Sequence, residues 1–169
     1  MVKILDKAIQ IGDKVYVFTS VMLLAVLVIV VSAGIIMRYF FNSPFDWTEE
    51  MVTLLFIWIS FLGAAVASAR HKHVVVDFIT ARFSPRTRNI IAVVSDVLTI
   101  VFLIMVIIGS VILIPQMLTH GSTALNIPKS VYYLAVFASS LLIFCVHLSS
   151  FIKGAGSLLA AGKKQEGSP

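Results

Sequence analysis

Four long apolar runs, each bounded by charged or aromatic residues, organise this chain. They cover about residues 15–37, 47–69, 85–118 and 128–152. A helix that crosses a bilayer needs about 20 mostly apolar residues, so each run predicts one span. The expected fold is an all-α integral membrane protein with four transmembrane helices in a single membrane domain, residues 1–169. Two shorter stretches have a different pattern. In 2–14, Ile4, Leu5, Ala8, Ile11 and Gly12 recur at helical spacing, and Lys3, Asp6, Lys7, Gln10, Asp13 and Lys14 take the other face. In 73–83, Val74, Val75, Phe78, Ile79 and Phe83 alternate with Asp77, Thr80 and Arg82. Both read as amphipathic interfacial helices, the first with the alternative of being an extension of span one.

The connections have their own signals. Arg38 ends the first run, Asn42-Ser43-Pro44 makes a turn, and Tyr39, Phe40, Phe41, Phe45 and Trp47 form an aromatic belt. Asp46 with Glu49 three residues on has the pattern of a capping box. Ser84-Pro85 starts a helix that, if continuous to 118, is about 50 Å long at 1.5 Å per residue. That exceeds a hydrocarbon core of about 30 Å, so the helix must tilt, protrude or bend at Pro115. Pro128 opens the fourth span, and 153–169 reads as a polar tail with a disordered end. The first run also invites a signal-peptide reading, because Val31-Ser32-Ala33-Gly34 is small enough to cleave. It is longer than the usual h-region of about 7–15 residues, which favours a retained span.

Composition removes the soluble classes. Of the 169 residues, 59% are apolar and 12% charged, against about 25% charged in soluble domains. The net charge of +5 does not point to nucleic acid, because the basic residues flank apolar runs. They set topology instead. Eleven of the 13 Lys and Arg lie in the N-terminal stretch, the 70–88 loop and the C-terminal tail; Arg38 and Lys129 are the exceptions. The positive-inside rule places both termini and the 70–88 loop in the cytoplasm.

Several residues are candidate sites. In the second span Ser60, Ala64 and Ser68 repeat every four residues, as do Gly63 and Ala67, which predicts a helix-packing face. Glu49 and Glu50 serve the helix start, with Arg38 as the partner of one of them. Arg70, His73 and Asp77 form the basic turn, His73 and Asp77 meeting across one helical turn. Asp96 and His147 are the ionisable groups inside apolar runs. They sit at similar depth, so they can hydrogen-bond if spans three and four adjoin. The 14 Val, Leu, Ile and Phe residues between Val97 and Ile114 offset the roughly 3 kcal/mol that a carboxylate costs in a span, so Asp96 needs no functional role to be tolerated. No catalytic, cofactor or metal constellation is visible. A haem-bearing anchor subunit and a small homodimeric transporter are the alternatives to a non-catalytic membrane subunit.

Ordered motifs narrow the choice. Arg38-Tyr39 before a proline turn, Trp47-Thr48-Glu49-Glu50, Phe61-Leu62-Gly63-Ala64-Ala65, then Arg70, His73 and Asp77, and finally Leu125-Asn126-Ile127-Pro128 follow one another along most of the chain. In this order they resemble the DctQ-like small membrane subunit of tripartite ATP-independent periplasmic (TRAP) transporters, in which glycine often stands at the place of Asn126. The resemblance implies a large permease subunit as partner, which carries the substrate and sodium sites, and a periplasmic substrate-binding protein. It implies the bacterial inner membrane and no cofactor in this chain. It also implies a scaffold role, with Arg38, Asp46, Trp47, Glu49, Glu50 and Pro128 as candidates for the periplasmic loops and partner interface. Within that family it leans towards sialic-acid over C4-dicarboxylate systems.

Overall fold

The computed structural model describes the backbone of residues 2–43, 45–71 and 85–166, and side chains within 5–43, 45–70 and 87–156. The interfacial helix expected at 73–83, with His73 and Asp77, lies outside the described residues. Four helices follow in order: α1 Val2–Phe40, α2 Thr48–His71, α3 Pro85–Gln116 and α4 Ser130–Glu166. Each contains a segment long and apolar enough to cross a membrane: Leu5–Phe40, Thr48–Arg70, Thr87–Gln116 and Ser130–Gly156. The chain is a multi-pass membrane protein by that measure. One end of the bundle carries the start of α1, the end of α2, the start of α3 and the end of α4. The other end carries the two connections around 41–47 and 117–129.

Residues 2–14 and 15–37 form one helix, not two. At 39 residues it is roughly 58 Å long at 1.5 Å per residue. No proline interrupts it, and Gly12 serves close packing: a Cβ there would lie 2.7 Å from Leu142 Cδ1 of α4. Helix α4 runs on into the tail as far as Glu166; residues 167–169, where the disordered end was expected, lie outside the described residues. The third span ends two residues earlier than expected. Pro115 stands in the last turn of α3, where its missing N–H and the tight turn of Leu118 N–H onto Pro115 O at 3.4 Å close the helix.

Helix α4 is the centre. It packs against α3, α2 and α1; α1 and α2 also pack against each other, and the principal contact of α3 is α4. Besides Ser130 and Ser140, its buried positions are Ala135, Ser139, Leu142, Val146 and Ser149, these five spaced alternately four and three apart. That is a 3.5-residue seam, the repeat that keeps one side of a helix against its neighbours. Three of the five are alanine or serine, so backbones approach closely where lipid supplies no hydrophobic drive between helices. Ser139 Oγ donates to Ala135 O at 2.8 Å, so the hydroxyl is satisfied inside its own helix. From α2 the seam receives Leu55, Leu62 and Ala65, and from α3 Leu103.

The 117–129 connection is tightly closed. Ser122 N–H donates to Ile127 O at 2.9 Å and Lys129 N–H to His120 O at 2.9 Å. Asn126 takes φ 52°, a left-handed conformation that Asn tolerates better than most residues and glycine best. The turn geometry thus accounts for asparagine at this place.

Candidate functional site

Polar side chains gather at both ends of the bundle. At the loop end the organising group is Glu50, in the first turn of α2. Its Oε1 accepts from Ala124 N–H and its Oε2 from Leu125 N–H, each at 2.9 Å. A carboxylate receiving two successive backbone amides makes charge-assisted bonds and ties α2 to the connection before α4. This role is not the one expected. Among the described residues Arg38 forms no ion pair with Glu49 or Glu50, and it is exposed. Asp46 does not cap α2 either. The first helical bond runs from Met51 N–H to Trp47 O at 3.0 Å, so Trp47 holds the cap position and Asp46 lies in the turn before it. Trp47 stacks on Phe45 with ring centroids 5.4 Å apart. Glu49 is exposed, and its carbonyl accepts from Thr53 Oγ1 at 2.8 Å. Pro128 bridges back to Gly121 and precedes α4 by two residues. The signal for Glu50 in the sequence was only its proximity to a helix start; its partners lie 74 and 75 residues away.

The small residues of α2 divide between two faces. Leu55, Leu62 and Ala65 are buried. Ser60, Gly63, Ala64 and Ala67 are exposed, and a Cβ at Gly63 would meet nothing within 4 Å. Among the described residues, most of the predicted packing face therefore packs against nothing. Ser68 turns inward.

At the terminus-bearing end Asp96 and His147 meet. Asp96 Oδ1 lies 2.7 Å from His147 Nδ1, with the Asp96 side chain 10% exposed. Ser68 Oγ lies 3.4 Å from His147 Nε2. The carboxylate can only accept, so Nδ1 carries the proton and donates. Three helices, α2, α3 and α4, join through this imidazole. The order serine, histidine, aspartate matches that of acyl-transfer triads. Here, however, Ser68 sits inside α2, where surrounding N–H groups are committed to helical bonds and none is free to hold an oxyanion. The arrangement fastens helices. It also engages both ring nitrogens of His147, with Asp96 at Nδ1 and Ser68 at Nε2.

Two further ties were not foreseen. Asp6 accepts from Lys153 Nζ and from Ser149 Oγ, each at 2.9 Å. Asp13 takes Arg70 in a fork, Nε to Oδ1 and a terminal nitrogen to Oδ2, both 3.0 Å. Asp6 and Asp13, expected on the polar face of an amphipathic helix, lie seven residues apart on one side of α1 and pair with α4 and α2. Tyr16 continues that side, its hydroxyl donating to Ala138 O at 2.7 Å. The exposed large apolar residues of this half are Ile11, Val15 and Phe18. Among the described residues no group of three His, Cys, Asp or Glu is placed to hold a metal ion.

Comparison with known proteins agrees with this architecture. Residues 27–156 match the family model described as tripartite ATP-independent periplasmic transporters, DctQ component. A TRAP transporter small permease assignment from Haemophilus influenzae is 28% identical over 130 residues, 77% of this chain and 81% of that one. The sialic acid TRAP transporter small permease protein SiaQ of Vibrio cholerae is 32% identical over 95 residues, covering 56% and 52%. The C4-dicarboxylate TRAP transporter small permease protein DctQ of the same organism is 30% identical over 101 residues, covering 60% and 44%. The chain belongs to the DctQ family, the small permease subunits of TRAP transporters, and is a transport component rather than an enzyme.

Proposed function

We propose that this subunit is a rigid membrane scaffold for the large permease subunit of a sodium-driven, binding-protein-dependent importer of a small organic acid. The termini and basic ends face the cytoplasm and the Glu50 loop faces the periplasm of a bacterial inner membrane. The observation that carries the scaffold reading is the outward face of α2. Ser60, Gly63, Ala64 and Ala67 form a small, exposed patch in the second half of α2, flanked by the exposed Phe56 and Phe61, whereas the outer faces of α1 and α3 present bulky groups along most of their length, such as Phe18, Ile29, Leu98, Phe102 and Met105. Helices in lipid approach closely only where side chains are small. The stripe on α2 therefore suits a helix of the large subunit, and the bulky faces suit acyl chains.

The test is co-purification of the two subunits. Ala64→Phe together with Gly63→Leu is expected to release the large permease in detergent and abolish sodium-driven uptake. Leu98→Ala on α3 is expected to leave both intact. Retention of the complex by the α2 variant, with loss on α3 substitution, would reverse the assignment. For substrate we propose sialic acid ahead of C4-dicarboxylates. The relatives named for the two classes match this chain at 32% and 30%, so selectivity is assigned to the partner subunits. Uptake of labelled sialic acid against labelled succinate, in proteoliposomes with the binding protein, decides between them.

A further inference from the structure

A cavity of about 340 Å³ opens at the loop end, between the starts of α2 and α4 and beside the 117–129 connection. Thr123, Lys129, Tyr132 and Tyr133 line its polar part and Ile57 its apolar part, with Glu50 as one wall. Among the described residues the Lys129 ammonium and the hydroxyls of Thr123, Tyr132 and Tyr133 have no hydrogen-bond or ion-pair partner. Glu50 is engaged already, since its two oxygens accept from Ala124 and Leu125 N–H at 2.9 Å. The cavity crosses the edge of the apolar segments. Those of α2 and α4 begin at Thr48 and Ser130, so Lys129 stands at that edge, the level of lipid headgroups, where tyrosines also gather. Ile57 lies about 14 Å deeper along α2 at 1.5 Å per residue. The volume falls within the roughly 300–1,000 Å³ usual for small-ligand sites.

We propose that this cavity holds the phosphate of a glycerophospholipid, with an acyl chain descending past Ile57. The unpartnered groups are all donors: an ammonium with three N–H and three hydroxyls. A phosphodiester carries one negative charge and offers only acceptor oxygens, so it matches the single cation and takes the hydroxyls as well. The charge of Glu50 opposes it least where it stands, against two amides and the positive end of α2. A soluble carboxylate could use the donors but not the apolar depth; an amphiphile uses both. The apolar surface continues on the faces that line the cavity. At about 100° per residue, the exposed Phe61 lies within about 20° of Glu50 around the α2 axis. On α4 the half-exposed Val136 falls between the directions of Tyr132 and Tyr133. The alcohol beyond the phosphate projects past the connection into water, so the site reads phosphate and not headgroup type.

The experiment is native mass spectrometry on the full chain, alone and in complex with the large permease subunit. Each is delipidated in detergent and given phosphatidylglycerol, phosphatidylethanolamine or the diacylglycerol with the same chains. One phospholipid of either kind is expected to stay bound to both forms, and diacylglycerol is not. Lys129→Gln is expected to lower retention about fivefold, the effect of one basic side chain at a membrane surface. Tyr132→Phe with Tyr133→Phe, which removes two donors and keeps both rings, is expected to lower it on the order of tenfold. Ile57→Trp, which fills the cavity below the donors without altering charge, is expected to abolish it. Lys129 is exposed, so its variant keeps the test decisive even where Ile57→Trp inserts poorly. Lys14→Gln, at the opposite end, is expected to change nothing. Diacylglycerol held as firmly as the phospholipids, or retention unaltered by both the Lys129 and the tyrosine variants, overturns the proposal. Displacement by water-soluble glycerol phosphate at equal concentration also overturns it, by showing a site for a soluble anion. Retention by the chain alone but not by the complex overturns it in favour of a cavity covered by the partner.

Discussion

The contact between Asp96 and His147 can be weighed in isolation by a double-mutant cycle. Asp96→Leu leaves the Nδ1 proton of His147 without an acceptor, which costs about 1–3 kcal/mol for a buried donor. Asp96→Asn keeps an acceptor oxygen in place but removes the charge, so a smaller loss of about 0.5–1.5 kcal/mol is expected. His147→Leu strands the carboxylate and also releases Ser68. The price of burying the carboxylate is present whether or not His147 is, so it cancels from the coupling term of the cycle. Neutral and polar pairs between membrane helices couple by about 0.6 kcal/mol on average and about 1.7 at most. This pair is short, at 2.7 Å, and its side chains are only 10% and 21% exposed. The coupling should therefore sit near the upper end, about 1.5 kcal/mol.

The assay is reversible unfolding of the full chain in bicelles by SDS titration, followed by circular dichroism, for wild type, Asp96→Leu, His147→Leu and the double variant. The double variant is expected to be less destabilised than the sum of the singles by the coupling energy. If the singles add to within about 0.3 kcal/mol, the limit for independent sites, the two side chains do not interact in the membrane and the clasp is refuted.

Two other outcomes are expected. Glu50→Gln replaces one of the two accepting oxygens by an NH2 group, so amide exchange at Ala124 or Leu125 should accelerate, on the order of tenfold, and Glu50→Ala should free both; unchanged protection at both amides would show that the loop holds itself closed. Gly34→Leu brings a Cβ to within 2.8 Å of Thr48 Cγ2 and should destabilise the α1–α2 contact by about 1–3 kcal/mol in the same SDS titration, whereas Gly63→Leu, with open space around it, should leave the isolated chain unaffected.

The spans were legible because length and apolarity alone define them, and both ends of α2 fell within two residues of expectation. The pairing of Asp96 with His147 was open to sequence reasoning because both sit at similar depth on adjacent spans. What the sequence did not disclose depends on rotation about a helix axis. The amphipathic pattern put Asp6 and Asp13 on one polar face of α1 but did not say what that face meets. In the part within the bilayer, carboxylates turn towards partners and apolar groups turn out. The seven-residue spacing of Asp6 and Asp13, with Tyr16 three beyond, was the available clue. The same uncertainty of rotation hid the seam of α4 from Ala135 to Ser149, which hydropathy cannot distinguish from its lipid-facing sides. The role of Glu50 was hidden for another reason: its partners are backbone amides, which no side-chain pattern reports.

The two kinds of fastening divide α1 along its length. In its first half the helix is held by side chains: Asp6 to α4, Asp13 to α2 and Tyr16 to α4. In its second half the residues from Val21 to Ile36 include no charged group, and what holds them is proximity, as at Gly34 against Thr48. The hydrophobic effect cannot supply the difference, since leaving a helix face in lipid costs an apolar side chain nothing comparable to leaving it in water. The scaffold role proposed above requires that the subunit keep its shape while a neighbouring subunit moves. Polar ties placed at the terminus-bearing end, where water and headgroups make side-chain ions inexpensive, and close backbone contact placed deeper, where ions would be costly, meet that requirement at each depth with the interaction that the surroundings allow.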